Sequence, residues 1–391
     1  MGDRPGPQTA PPAAEPALID PAGLGALVGT LRERGYTVIG PTVADGAIVL
    51  AELTSAADLP FGQGVELGPG GYRLRERADR AAFGHAAGPQ SWKTFLHPAR
   101  VRLWSADRAE DFAVRPEPAP ATRYAFLGVR PCDLRAIGIL DRVLAGGEHA
   151  DATYAGRRDG VFVVAVECTE PGETCFCASV GTGPAAGPGY DLALTELIDP
   201  GGHRFLVRVG SEAGARVLAA VEHRPAGEAT RREATDRVAA AAGRMGRQLP
   251  PAGQVRELMA ASLESPHWED VASRCLTCGN CTMVCPTCFC TGTEDVTDLT
   301  GDHAERWRVW DSCYDQDYSY LHGGSVRMSG ASRYRQWLTH KLGTWHDQFG
   351  SSGCVGCGRC IVWCPVGIDL TAEVAALAAA PADGPGTEED R

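Results

Sequence analysis

No apolar run in the sequence approaches the roughly 18 residues a helix needs to cross a membrane. The chain opens on a Pro- and Ala-rich stretch without the apolar core of a secretory leader. A membrane partner and an oxidising, disulfide-forming setting are therefore not expected. The expected location is a reducing cytoplasm, where cysteines bind metal rather than pair. Positive charge is also scarce: 37 Lys and Arg stand against 49 Asp and Glu, a net charge of −12. That balance argues against nucleic acid as a partner and mainly favours solubility. There is no Walker loop, no zincin helix and no nucleophile elbow. The segment Gly181-Thr-Gly-Pro-Ala-Ala-Gly187 is a poor dinucleotide fingerprint. Its third glycine is one place late, a proline interrupts it, and it follows a cysteine loop rather than a strand.

Cysteine is what the chain has in excess, with 15 in 391 residues. One run occurs twice: Cys275-x2-Cys278-x2-Cys281-x3-Cys285-Pro286 and Cys354-x2-Cys357-x2-Cys360-x3-Cys364-Pro365. This is the bacterial ferredoxin spacing for two [4Fe–4S] cubes, in which the fourth cysteine of each run serves the other cube. The rule assigns Cys275, Cys278, Cys281 and Cys364 to one cluster and Cys354, Cys357, Cys360 and Cys285 to the second. One such run could be half of a zinc ribbon; two complete runs, each closed by Cys-Pro, point to iron and single-electron transfer. Met283, Val284, Ile361, Val362 and Trp363 lie between ligands and suit an apolar shell that limits water.

The length allows two domains. The reading is a parallel-stranded α/β N-terminal domain over 19–247, a helical linker over 248–274, and a ferredoxin-like dicluster domain over 275–372 carrying an insertion at 291–353. Residues 1–18 and 380–391 read as disordered tails. Leu24, Leu27, Val28 and Leu31 predict a helix; Tyr36–Ile39 and Ala47–Leu53 read as strands, 58–73 as a Gly- and Pro-rich loop, and Leu103-Trp104 as part of a short strand. Tyr124–Val129 and Val161–Val166 are continuous apolar runs, as expected of strands buried on both faces. A helix over Leu134–Leu144 joins them, so the three form a βαβ unit with parallel strands. Arg204–Val209 adds a strand, 211–221 and 227–247 read as surface helices, and Val255–Leu263 and the segment after Ser265-Pro266 as helices leading to Cys275.

Cys132 follows the first buried strand and Cys168 the second, with Cys175 and Cys177 just beyond. Ends of parallel strands share one edge, where ligands of open sheets collect. Four thiolates suit a third [4Fe–4S] cluster or a tetrahedral zinc, and buried cysteines can also be inert core residues; the iron chemistry of the other half favours the cluster. Arg130 and Asp133 flank Cys132 and suit either hydrogen bonding near a cluster or a turn. Cys288, Cys290 and Cys313 are one short of a full set; they suit either a further cluster completed by a non-cysteine ligand or a lining of the dicluster domain, and the structural reading is favoured. The basic stretch Arg327, Arg333, Arg335, Lys341 suits an acidic partner or a solvated helix face.

Four elements resemble a known family: Gly128-Val-Arg-Pro-Cys-Asp133, Glu167-Cys-Thr-Glu-Pro-Gly-Glu-Thr-Cys-Phe-Cys177, Cys285-Pro-Thr-Cys-Phe-Cys290 and Trp310-Asp-Ser-Cys313. The chain resembles, over about residues 20–372, the iron–sulfur β subunit of cytoplasmic NAD(P)-linked [NiFe] hydrogenases of the sulfhydrogenase type. The A chain of anaerobic sulfite reductase is similar. The resemblance implies a component without substrate chemistry of its own. It would relay electrons between a flavin subunit that handles NAD(P) and the hydrogenase small and large subunits, or within a sulfite reductase complex. A cluster dehydratase would need an iron with an open position, which two fully ligated runs do not leave. A structural zinc protein remains the colourless alternative.

Overall fold

The computed structural model describes residues 15–118 and 121–379; the tail 380–391 and most of the tail 1–18 lie outside the described residues. Three strands open the chain: β1 (Ala17–Ile19), β2 (Thr37–Ala44) and β3 (Ala47–Glu52). The hairpin β4 (Gln63–Gly68) and β5 (Gly71–Glu76) follows. Next come β6 (Arg100–Asp107), β7 (Arg115–Pro116), β8 (Tyr124–Val129) and β9 (Phe162–Val166). The N-terminal half closes with β10 (Leu192–Asp199), β11 (Gly202–Val209) and β12 (Arg224–Pro225). The insertion adds β13 (Thr291–Thr297) and β14 (His303–Trp310).

An eight-stranded sheet has the order β12-β1-β11-β10-β9-β8-β2-β3. Its centre is parallel: β2 pairs β8, β8 pairs β9 and β9 pairs β10, all in one direction. Antiparallel strands flank this centre on both sides. Alternation in the strands divides their side chains between two faces. Ala125, Leu127, Phe162, Val164 and Val166 meet Leu24, Leu27, Val28 and Leu31 of the helix Pro21–Glu33. Phe126, Val129, Val163 and Ala165 meet Leu134, Ile137, Leu140 and Tyr154 on the other face. Those residues belong to the helices Pro131–Leu140 and Ala152–Arg158, which cross from β8 to β9. The predicted βαβ unit is therefore present, and its strands are parallel.

Several elements differ from the sequence expectations. Ala17 and Leu18 fall in the predicted tail, yet pair with β11 and β12. Most of the expected 58–73 loop belongs to the β4–β5 hairpin, turned at Pro69-Gly70. The crossover helix starts at Pro131 rather than Leu134, so Cys132 sits in its first turn, and it ends at Leu140 in a wider π turn over Asp141–Ala145. The expected surface helix over 227–247 ends at Ala242, and residues after it pack inward. Met245 lies 3.8 Å from Cys177 Sγ, and Arg247 pairs with Asp369 at 2.5 Å.

The insertion reaches back to the N-terminal half. β14 pairs antiparallel with β6, giving a second sheet of order β13-β14-β6-β7. The C-terminal core gathers Val255, Met259, Trp268, Tyr334, Trp337, Leu338, Ile361 and Val374, with Cys275, Cys281, Cys360 and Cys364 packed against it. No described helix is long and apolar enough to cross a membrane.

Candidate metal centres

Both ferredoxin runs build the same local shape. Cys281 sits in a short helix, Asn280–Met283, entered through Gly279 at φ +72°; Cys360 sits in another, Arg359–Val362, entered through Gly358 at φ +74°. Backbone N–H groups turn toward sulfur: Thr277 toward Cys275 (3.4 Å), Gly356 toward Cys354 (3.4 Å) and Ile368 toward Cys364 (3.3 Å). Such donors favour thiolate and a bound anion.

Each run's fourth cysteine lies beside the other run. Burial pushes the Cys360 thiol well up, and the charges of Cys354, Cys357 and Cys285 push it further. Burial also raises Cys354 to about 12, with Cys357 and Cys285 adding to the shift. Cys275 is raised by burial and then by Cys364 and Cys278. Cys285 goes the opposite way. It is held well below the ordinary thiol range, first through the neighbouring Cys288 thiol, with Lys341 and Thr287 also favouring the thiolate. Cys288 is correspondingly pushed well up. Thiols raised in this way must shed protons when they bind metal.

The four N-terminal cysteines converge at the carboxyl edge of β8 and β9. Cys132, Cys175 and Cys177 are buried and Cys168 half-buried. Burial raises Cys177, with Cys175, Cys168 and Cys357 contributing; Cys132 is raised by burial, then by Asp133, Cys177 and Cys357. Cys175 is held up at about 12, by burial and then by Cys168. The quartet thus adjoins the second run. Phe176 N–H donates to Gly356 O at 2.9 Å. A Cβ on Gly356 would stand 2.6 Å from the Cys177 backbone, and one on Gly358 2.4 Å from Thr174 O; both glycines also have positive φ. The glycine-rich loop rejected as a nucleotide site has a packing role here: a Cβ on Gly183 would lie 2.8 Å from Cys177 Sγ.

Among the described residues, His267, Asp270 and Glu373 are the one group of three His, Cys, Asp or Glu ligand atoms within 4.8 Å of one another. No three described thiols are that close. A tetrahedral zinc on four thiolates, with Zn–S near ~2.3 Å, would draw its sulfurs closer together than this. Convergent but more widely spaced buried thiols fit a cube better. Glu373 is already held by Arg274 and His267, so that trio is an ion-pair network.

Charged side chains complete the surroundings, and sequence reasoning missed most of them. Arg359 and Asp133, each 3% exposed, form a bidentate pair at 2.7 and 3.0 Å. One precedes Cys360 and the other follows Cys132, so the pair bolts the second run to the N-terminal quartet. Arg130 donates to Phe83 O (2.5 Å) and His85 O (2.6 Å), and its charge favours the Cys168 thiolate against the burial that raises that thiol. Glu167, before Cys168, accepts from Thr195 (2.7 Å) and Arg208 (2.5 Å). Lys93 and Lys341 are both buried and both face the Cys285–Cys290 turn. Lys93 donates to Cys288 O at 3.0 Å and sits 3.8 Å over the Trp310 ring. Lys341, read as part of a solvated face, is the clearest departure. Its signal was its place on the stripe Ala331, Tyr334, Leu338, Leu342, Trp345, all buried. Cys313 is raised to about 12 by burial and then by Cys290; Cys288, Cys290 and Cys313 line the site without forming a close set of their own.

Two ferredoxin-type thiol runs folded onto an α/β sheet define an iron–sulfur electron-transfer chain. Comparison with known proteins agrees. A 4Fe–4S dicluster domain family matches residues 274–368, and a second 4Fe–4S dicluster family matches residues 241–289. The chain is similar to sulfhydrogenase 2 subunit beta of Pyrococcus furiosus, 34% identical over 250 residues that span 63% of this chain and 72% of that protein. It belongs to the family of sulfhydrogenase β subunits, and is an iron–sulfur electron-transfer subunit of hydrogenase type. No solved structure matches the chain.

Proposed function

We propose that this chain carries three [4Fe–4S] clusters in a row and relays electrons in a cytoplasmic complex, between a flavin subunit that handles NAD(P) and a [NiFe] catalytic module. The first cluster takes Cys275, Cys278, Cys281 and Cys364. The second takes Cys354, Cys357, Cys360 and Cys285, and the third Cys132, Cys168, Cys175 and Cys177. Each bound cluster would supply one-electron chemistry and nothing else. The observation that carries the reading is the juxtaposition of Cys285 with Cys354, Cys357 and Cys360. It is what a shared pair of cubes requires. The Phe176–Gly356 contact supports a short step from the third set to the second, and the influence of Cys281 on Cys360 supports one from the second to the first. Cys278 is the exposed thiol of the row, beside Leu276 at 61% exposure, which suits a docking point at that end.

The protein's own residues hold the path. Lys341, Thr287 and backbone N–H groups stabilise thiolate, and Ile361, Val362 and Trp337 keep water from the cubes. Reconstitution tests the role. A complex lacking this chain should keep hydrogen activity with a dye acceptor and lose hydrogen-dependent NAD(P)+ reduction. Survival of NAD(P)+ reduction would end the relay reading. Loss of sulfite-linked activity instead would assign the chain to an anaerobic sulfite reductase.

A further inference from the structure

Lys341 is 3% exposed, and its Nζ has three neighbours: Cys285 Sγ at 3.3 Å, Thr287 Oγ1 at 3.3 Å and Gly353 O at 3.4 Å. Each of them accepts. Gly353 O can only accept. Thr287 has a single hydrogen, shared between Gly353 O at 2.6 Å and Cys285 Sγ at 3.2 Å, and its oxygen lone pairs are left for Lys341. A ligating Cys285 sulfur carries no proton. Three acceptors match the three donors of an ammonium, whereas a neutral amine would need one neighbour to donate. No carboxylate pairs with Lys341 among the described residues. A buried ammonium without a counter-charge is costly by several kcal/mol. Among the described residues, the anion in reach is the thiolate, and the cluster behind it.

The backbone is shaped to deliver this charge. The helix Gly330–Thr339 opens into a π turn over His340–Thr344, a widening that often marks functional positions, and Lys341 lies within it. Gly353 N–H donates to Lys341 O at 2.9 Å, closing the loop from the other side. A Cβ on Gly353 would stand 2.4 Å from the Trp345 ring, so only glycine allows the close approach.

We infer that Lys341 is a positioning residue that raises the reduction potential of the cluster shared by Cys354, Cys357, Cys360 and Cys285. The inference rests on the ligand reading proposed above. Reduction adds one electron from the partner side and breaks no bond; the ammonium keeps its proton and stabilises the added charge. The test is an EPR-monitored redox titration of the whole anaerobically purified chain, with iron counted in each sample, for Lys341→Met, Lys341→Gln and Lys341→Arg. Met and Gln should each lower the equilibrium constant for reducing one cluster at least tenfold, ~59 mV for a one-electron couple. The affected signal should be the one that Cys285→Ser alters. Arg should keep the potential within about threefold, ~28 mV on the same scale. Neutral variants with full iron and an unmoved midpoint overturn the inference, as does an equal shift of every signal. Met and Gln variants that both lack the cluster would make Lys341 a structural cation and overturn it too. If Cys285→Ser alters the signal of the first run instead, the ligand reading fails, a result separate from any of these.

Discussion

The residues that join the two halves are charged and buried, and that sets their behaviour. Arg359 and Asp133 have lost their water and rely on each other, with Gly88 O taking a further N–H from Arg359 at 3.0 Å. Removing one partner strands the other, so Asp133→Ala should cost about 3–5 kcal/mol. Thermal melting would register this, and iron should be lost first from the quartet that includes Cys132; an unchanged melting temperature would contradict the pairing. His97 gives a pH prediction. Burial, then the charges of Arg308 and Lys93, depress its pKa from 6.5 to about 4. Between those values the unfolded chain binds a proton that the folded chain refuses. The stabilisation is therefore complete above about 6.5, declines as pH falls, and levels off below about 4. His97→Gln should flatten that part of the stability–pH profile, measured by denaturant unfolding at pH 4.5 and 7; identical profiles would contradict it. Lys341 shows why such residues escape a sequence reading. Its neighbours Arg333 and Arg335 lie on the same helix and do reach the surface, and only a thiolate from a distant segment explains a buried cation among them.

At the scale of elements, spacing was informative where burial followed simple periodicity. Tyr124–Val129 and the parallel partner of that strand could be read because both faces are apolar. β10 could not. It carries Thr195 and Glu196 into the interior, and Glu196 is satisfied by Ala82 N–H (2.7 Å), Phe83 N–H (2.8 Å) and His203 (2.7 Å). Ala82 and Phe83 lie more than a hundred residues away in sequence and leave no local trace. The β4–β5 hairpin did leave one, since Pro69-Gly70 is flanked by alternating Val65, Leu67, Tyr72 and Leu74, but the count of glycine and proline around it suggested a loop. The β6–β14 pairing joins segments about two hundred residues apart and was equally hidden. It makes a prediction of its own: amides of Arg100–Asp107 and His303–Trp310 should exchange with solvent at similar, slow rates, because each strand supplies the other's partners. Hydrogen exchange followed by mass spectrometry can check this. Fast exchange in 303–310 with protection in 100–107 would contradict the shared sheet.

For the molecule as a whole, the arrangement is a string of thiol sets running from the sheet edge to an exposed corner, with buried cations beside the middle set. The repeated cysteine spacing made the C-terminal part of that string readable. The N-terminal quartet was readable only through the topology of β8 and β9, because nothing in its own spacing distinguishes cluster ligands from core cysteines. Cys285→Ser should perturb the EPR signal of the cluster built on Cys354, Cys357 and Cys360 and spare its neighbour; the reverse result would contradict the crossing of ligands between runs. The most direct test of the whole account is iron and acid-labile sulfide per chain in anaerobically purified protein. Three cubes of four require about twelve of each. A value near eight would leave the N-terminal quartet without a cluster, and zinc in place of iron would contradict the electron-relay reading outright.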